Sequence, residues 1–231
     1  MQPYNKLIQF IQDFRKYAIY LFVGVIITTL SFYFYSQPLF EKLQKTLDQE
    51  LVFFTLTGPF LAHLKLALGL SLFVLTPCFS FCLWKGLSRP FSLSKQAVTW
   101  FIIFSCLLFY SGTLFCYLIT LPYGIKFLLS FSTEQLQPII SINKFVSFVT
   151  VFVLAFGIIF ELPIFMVFAA KTGTISRKTF VKSRRYALLA ISIIAALLTP
   201  TPDIVNMMLM GVPLYGLYEI GIIILLLLRI K

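Results

Sequence analysis

The sequence predicts an all-α polytopic membrane protein, with six transmembrane helices in a single domain. Three observations indicate this fold class: the composition, six long apolar runs, and the placement of the basic residues. Of the 231 residues, 59% are hydrophobic and only 12% are charged, whereas soluble proteins are about half apolar and a quarter charged. A soluble domain of this length could not bury so much apolar surface, so the bilayer is the expected solvent.

Each apolar run predicts one membrane span. The spans should be helices, because backbone polar groups in lipid must be satisfied within each segment. The fifth run has 14 residues and would reach ~21 Å, less than the ~30 Å hydrocarbon core. Either that helix stops partway or the bilayer thins around it. The predicted spans are Tyr17–Ser36, Phe60–Trp84, Val98–Leu121, Phe145–Ala170, Tyr186–Thr199 and Ile204–Leu228.

The basic residues predict the orientation of the chain. If the N-terminus is inside, the inner segments hold fourteen Lys and Arg residues and the outer segments hold four, while Lys65 lies within the second span. Basic residues are concentrated on the cytoplasmic side of membrane proteins. Both termini are therefore expected inside, and the net charge of +11 indicates this topology rather than a nucleic-acid partner.

The outer segment between the first two spans, Gln37–Gly58, is the longest polar stretch between spans. Leu39, Leu43 and Leu47 recur at four-residue spacing with charged residues between them. This spacing predicts an amphipathic helix on the outer face. The helix could contact lipid, or it could pack on the outer ends of other spans.

The fourth span contains an acid beside a helix breaker, in the stretch AFGIIFELPIF. Glu161 is nine residues from the inner end of this span, about 14 Å along the helix. A carboxylate at that depth costs several kcal/mol unless it faces protein or water. Pro163 removes a backbone donor and bends the helix. Glu161 is thus a candidate contact for a partner helix or a watery cavity, with a structural hydrogen bond to a neighbouring helix as the alternative.

The last span and its approach contribute two further acids. Glu219 lies within the span, in PLYGLYEIG, and Asp203 precedes the span in LLTPTPDIV. Asp203 could cap the helix, where a carboxylate accepts from the first free N–H groups, or could contact a partner. Pro77 and Pro213 lie inside the second and sixth spans and are predicted to kink them.

The sequence argues against catalytic, metal and haem sites. The single histidine, His63, has no acid close to it in sequence, and no pair of the four cysteines has zinc-site spacing with a histidine nearby. Phosphate loops and metalloprotease motifs are missing. No enzyme activity, metal or cofactor is therefore expected.

Several stretches together resemble the TatC family, the polytopic core of the twin-arginine protein translocase. The resemblance rests on FELP in the fourth span, the following basic loop ending in SRRY, LTPTPD, and PLYGLYE. Weaker agreement comes from QDFRK near the N-terminus, QPL after the first span and TP in the second. The resemblance covers almost the whole chain in order and implies a curved, concave wall of six helices.

The resemblance also implies the function and the partners. TatC-like proteins receive twin-arginine signal peptides at the inner face and recruit single-span TatA/TatB-like partners. Folded cargo then crosses, driven by the proton gradient. The expected contact residues are Glu161, Asp13, Gln96, Asp203 and Glu219, and a homo-oligomer within the complex is expected. In the family's inner loop, a Phe and a Glu help bind the arginine pair; here Gly86 and Gln96 stand near those positions.

The sequence also bears on the cellular compartment and leaves one alternative function open. The family occurs in bacterial inner membranes, thylakoids and mitochondrial inner membranes. No Arg- and Ser-rich transit peptide is visible, and the 27 Phe residues fit an AT-rich coding genome, so an organelle-encoded mitochondrial protein is favoured. The rival function is a small secondary transporter or ion-conducting subunit, which would need coupled charges along a path.

Overall fold

The computed structural model describes residues 3–36, 38, 51–52, 56–130, 140–198 and 204–228. Within these residues the secondary structure is almost entirely helical, apart from a short parallel pairing of Leu51–Val52 with Ile140–Ser141. The predicted amphipathic outer helix lies mostly outside the described residues. The helices are α1 (Pro3–Phe34), α2 (Gly58–Ser88), α3 (Lys95–Phe115), α4 (Leu121–Leu129), α5 (Ile142–Phe160), α6 (Leu162–Lys171), α7 (Arg177–Lys182), α8 (Arg184–Leu198) and α9 (Ile204–Leu227).

Five helical segments of the described chain are long and apolar enough to cross a membrane, which confirms the predicted class of an all-α polytopic membrane protein. They correspond in order to the first four predicted spans and the sixth. The predicted fifth span lies on α8, whose 15 residues reach only about 22 Å. The five segments are Tyr17–Phe34, Gly58–Ser88, Lys95–Phe127, Ile142–Lys171 and Met207–Leu227.

Two of the spans contain an irregular turn. A π-helical segment, Cys116–Thr120, joins α3 to α4, and the N–H of Leu121 donates to the carbonyl of Cys116. The next residue, Pro122, has no backbone N–H to continue the α-helical ladder. The second irregular turn lies at Glu161, between α5 and α6.

The chain forms two compact units, each built from two separate stretches. One unit contains Met1–Cys106 and Ser132–Leu154, and the other contains Leu107–Phe131 and Ala155–Lys231. Each unit therefore takes part of the third and part of the fourth predicted span.

In the first unit, α1 and α2 pack as an antiparallel pair joined by buried hydroxyl groups. The Thr29 hydroxyl donates to the Ser71 hydroxyl at 2.9 Å. The Ser36 hydroxyl lies 2.9 Å from Nδ1 of His63. Positions rise along α1 as they fall along α2, which is the pattern of antiparallel helices. Hydrogen bonds of this kind fix the register of neighbouring membrane helices.

Polar and small residues also join α2 to the start of α5. The Lys65 ammonium donates to Oδ1 of Asn143 at 2.7 Å and to the Ser147 hydroxyl at 2.8 Å. One turn further along α2, Gly69 packs directly on the side chain of Thr150. Lys65 is thus a structural contact between two helices, a role that its place within an apolar run did not reveal.

In the second unit, glycines let the helices approach closely. Gly112 at the end of α3 faces Phe160 and the carbonyl of Phe156, and Gly157 on α5 faces Phe109 and Thr113. Small residues at such crossings allow backbones to come together in the membrane, where packing replaces the hydrophobic effect as the driving force. This crossing supports α5 immediately before it is interrupted.

Candidate functional site at the Glu161 helix break

The fourth predicted span is interrupted at Glu161. Helix α5 ends at Phe160, Glu161 is a turn residue, and α6 begins at Leu162. The N–H of Glu161 donates to the carbonyl of Ile158 at 3.1 Å, and the carbonyl of Glu161 accepts from the N–H of Ile164 at 3.1 Å. Pro163 occupies the first turn of α6, where its missing N–H is best tolerated. The sequence therefore places the break locally, through Pro163.

The Glu161 side chain lies inside the protein and not on its lipid-facing surface. Its exposed fraction is 9%, and Pro163 beside it is fully buried. The flanking residues Ile158 and Phe165 are exposed, at 65% and 39%. A buried carboxylate next to an exposed apolar rim can accept a hydrogen bond without being solvated by acyl chains.

The last helix, α9, packs against this break through a glycine. A methyl group at Gly221 would lie 2.6 Å from Sδ of Met166 and 3.5 Å from Cα of Pro163. The absence of a side chain at Gly221 therefore leaves room for the Met166 side chain, and α9 packs on the backbone of α6 at Pro163, two residues after the break.

The second intramembrane acid, Glu219, is held by two neighbours. Nη2 of Arg184 donates to Oε2 of Glu219 at 2.8 Å, and the Tyr215 hydroxyl donates to Oε1 at 2.9 Å. The Arg184 side chain is 47% exposed and that of Glu219 is 27% exposed. Both carboxylate oxygens thus have a partner within this chain, and Glu219 serves as an internal acceptor.

Sequence reasoning missed the residues that hold Glu219. Tyr215 is four residues before Glu219 and so shares its helix face, a signal that was available. Arg184 is 35 residues away and counted only as one of several loop cations. Tyr218 was also missed; its hydroxyl donates to the carbonyl of Phe180 at 2.7 Å and so attaches α7 to α9.

The other predicted site residues lie elsewhere in the chain. Asp13 lies on α1, and Gln96 is an exposed residue in the first turn of α3; both belong to the first unit. Asp203 lies outside the described residues. Pro77 and Pro213 lie inside α2 and α9, which continue through them.

The chemistry of the site is hydrogen-bond acceptance in a low-dielectric setting. Among the described side chains, no group of three His, Cys, Asp or Glu could hold a metal ion. The four cysteines are free thiols. What the break offers is one buried carboxylate, presented where a helix is interrupted.

Comparison with known proteins places the chain in a family. The family model for the Sec-independent protein translocase protein TatC matches residues 9–213. The chain belongs to the TatC family. The Sec-independent protein translocase protein TatC of Carboxydothermus hydrogenoformans is 32% identical over 222 residues, with 94% of this chain and 91% of that protein covered. The TatC protein of Aquifex aeolicus is 30% identical over 224 residues, with 94% and 92% covered.

Solved structures agree with this assignment. A crystal structure of the twin-arginine translocase receptor TatC in the detergent DDM superposes with a TM-score of 0.83 at 29% identity, and covers 93% of this chain and 98% of that one. A second crystal structure of that receptor gives a TM-score of 0.81. The family predicted from FELP, LTPTPD and PLYGLYE is confirmed.

Proposed function

We propose that this TatC-family chain is the receptor and core subunit of a twin-arginine translocase, and that Glu161 is the contact for a single-span partner helix. Such a subunit receives the signal peptide of a folded cargo protein and recruits TatA/TatB-like partners, which let the cargo cross with energy from the proton gradient. The observation that supports this role most directly is the buried Glu161 carboxylate at an interrupted helix, with exposed apolar residues beside it.

The strength of one such contact suits a reversible encounter. A hydrogen bond between membrane helices stabilises association by about 0.6–2 kcal/mol, which corresponds to about a 3- to 30-fold change in affinity. A single contact of this size favours a helix with a polar side chain at the matching depth over a purely apolar one. It remains weak enough for the partner to leave after translocation.

The other predicted contact residues are proposed to have different roles. Asp13 and Gln96, on the inner face under the orientation that the basic residues predict, are proposed to meet the arginine-bearing signal peptide. Asp203, at the approach to α9, is proposed either to cap that helix or to contact a partner. Glu219 is engaged by Arg184 and Tyr215 and is therefore proposed to act within the subunit.

The setting of the complex is also part of the proposal. The chain is an integral multi-pass membrane protein, and several copies are proposed to assemble with the single-span partners. The Phe-rich composition and the replacement of the family's signal-contact Phe and Glu by Gly86 and Gln96 favour an organelle-encoded protein of the mitochondrial inner membrane. The bacterial source of the relatives described above favours the bacterial inner membrane as the main alternative.

The test is a graded set of exchanges at Glu161. Glu161→Ala removes the acceptor, whereas Glu161→Gln keeps an amide oxygen that can still accept a hydrogen bond. Export of a twin-arginine cargo and photo-crosslinking from position 158 to a co-expressed single-span partner are measured at matched membrane levels of the protein. We expect both signals to fall for Glu161→Gln and to fall further for Glu161→Ala.

A matched control is Glu134→Gln, an acid-to-amide exchange in the predicted outer segment, which should leave both signals unchanged. If Glu161→Ala exported the cargo and crosslinked as well as the wild type, the assignment of Glu161 as the partner contact would be wrong.

A further inference from the structure

Arg184, Tyr218 and Glu219 attach the last helix to the segment before it, and Tyr215 holds the Glu219 carboxylate. We refer to Arg184, Tyr215, Tyr218 and Glu219 as the α9 clasp. Glu219 accepts from Arg184 at the start of α8 and from Tyr215 on its own helix. Tyr218 donates to the carbonyl of Phe180 on α7, and its ring packs edge-on against the Phe180 ring at 6.5 Å. The clasp therefore holds α9 to both α7 and α8.

Another face of α9 packs against the Glu161 break. Successive residues of an α-helix are about 100° apart, so Gly221 lies about 200° around the helix from Glu219 and about 60° from Tyr218. Gly221 is the residue that packs on Met166 and on the backbone of Pro163. The Arg184–Glu219 ion pair and the contact of Gly221 with the interrupted span thus lie on nearly opposite sides of α9.

We infer that the α9 clasp is a positioning device for the Glu161 contact, because it selects the one register of α9 in which Gly221 faces Pro163. This inference rests on the proposed role of Glu161. Arg184, Tyr215, Tyr218 and Glu219 are in this sense positioning residues, which act on the partner contact through α9.

The physical basis is the directionality of polar contacts in an apolar medium. Apolar helix faces in lipid can slide or rotate at little cost, since lipid chains and side chains are equally apolar. A shift of one residue along α9 moves its groups by about 1.5 Å and about 100°. Such a shift separates the Glu219 carboxylate from Arg184 and turns it towards hydrocarbon. Fixing the register of neighbouring helices is the best-supported role of ionic groups in an apolar setting.

The packing of α9 on the break also bears on position 221. A methyl group there would lie 2.6 Å from Sδ of Met166, so the Met166 side chain would have to move, whereas its distance of 3.5 Å from Cα of Pro163 is an ordinary contact. The Glu219 contact and the Gly221 contact thus lie within the same turn of helix, on nearly opposite sides.

The first measurement reports the register of α9 relative to α6. Nitroxide labels at Phe165 on α6 and Ile223 on α9, both exposed, give a distance distribution in liposomes, in a background with the native cysteines replaced by alanine. We expect Arg184→Gln to broaden or shift this distribution and the exchanged pair Arg184→Glu with Glu219→Arg to restore it. The matched control is Arg185→Gln, whose guanidinium contacts the hydroxyl and ring of its neighbour Tyr186 and which should leave the distribution unchanged.

If the Arg184→Gln protein does not accumulate in the membrane, an uncharged double variant can be tested instead. The double variant Arg184→Gln with Glu219→Gln removes the ion pair without leaving a lone charge in the membrane, and it should broaden the distribution in the same way. A distribution that stays at its wild-type position and width in this double variant would overturn the inference.

The second measurement reports the consequence for partner binding. Photo-crosslinking from position 158 to a co-expressed single-span partner should fall at least about threefold in Arg184→Gln, the lower end of the effect of one membrane hydrogen bond, and should recover in the exchanged pair. Crosslinking that is unchanged in Arg184→Gln while Glu161→Ala abolishes it would overturn the positioning role. A label distribution that responds as expected while Glu161→Ala has no effect would support the clasp as a register device and contradict the proposed role of Glu161.

Discussion

Replacing Gly112 by alanine should disrupt the helix crossing that supports the Glu161 break. In a Gly112→Ala variant, the new methyl group would lie 2.5 Å from Cγ and 2.6 Å from Cβ of Phe160, and 2.9 Å from the carbonyl oxygen of Phe156. Carbon atoms in ordinary contact are about 3.5–4.0 Å apart. The methyl group therefore needs about 1 Å more space than this crossing allows.

The space cannot come from a side-chain rotation alone. Cβ of Phe160 and the Phe156 carbonyl are fixed to the backbone of α5, so α3 and α5 must move apart. Overpacking of this kind costs typically about 1–3 kcal/mol. Phe160 directly precedes Glu161, so we also expect the displaced helix to disturb the break and to reduce export of a twin-arginine cargo.

The assay measures the free energy of unfolding in bicelles for Gly112→Ala and for a matched control, Gly211→Ala. Gly211 on α9 has no atom within 4 Å of an added methyl group, so Gly211→Ala should stabilise its helix by about 0.5–1 kcal/mol through reduced unfolded-state entropy. The two variants should therefore differ by roughly 1.5–4 kcal/mol. Equal stability of Gly112→Ala and Gly211→Ala would refute the close crossing of α3 and α5.

Two further predictions use the same stability assay. The hydroxyl groups of Thr29 and Ser71 are both buried and lie 2.9 Å apart. A double-mutant cycle of Thr29→Val with Ser71→Ala should give a coupling energy of about 0.6 kcal/mol, and at most about 1.7 kcal/mol. Additive effects of the two exchanges would mean that the hydrogen bond does not join α1 to α2. Gly173 ends α6 with a φ of 70° and no neighbouring atom within 4 Å of an added Cβ, so Gly173→Ala should cost about 1–2 kcal/mol from the left-handed backbone alone, and Gly173→Asn should cost less. If Gly173→Ala were as stable as Gly173→Asn, the left-handed backbone conformation at position 173 would be contradicted.

The spans could be predicted from sequence because they depend on local composition. A run of apolar residues long enough to cross the bilayer satisfies its own backbone as a helix wherever it lies, and five of the six predicted runs meet this criterion in the structure. The short fifth run was also visible as a shortfall in length. The break at Glu161 was predictable for a similar reason, because Pro163 lacks the N–H that would continue the helix.

The partners of the intramembrane polar groups could not be predicted in this way. Glu161 and Glu219 were both identified from sequence as acids at membrane depth, and nothing in the linear pattern separated their surroundings. In the structure, Glu161 lies buried at a helix break, and Glu219 accepts from Arg184 and Tyr215. The contact of Glu219 with Arg184 depends on the rotation and register of α8 against α9.

The sequence by itself thus determined the membrane solvent, the helical spans, the interruption beside Glu161 and the family, because each depends on composition or on short local motifs. Only the tertiary structure decided that Arg184 reaches Glu219 across 35 positions and that Gly112 and Gly221 are the close approaches around the interrupted span. These contacts join residues far apart in the chain. A shift of one residue in a helix moves its side chains by about 1.5 Å and about 100°, which no local pattern records.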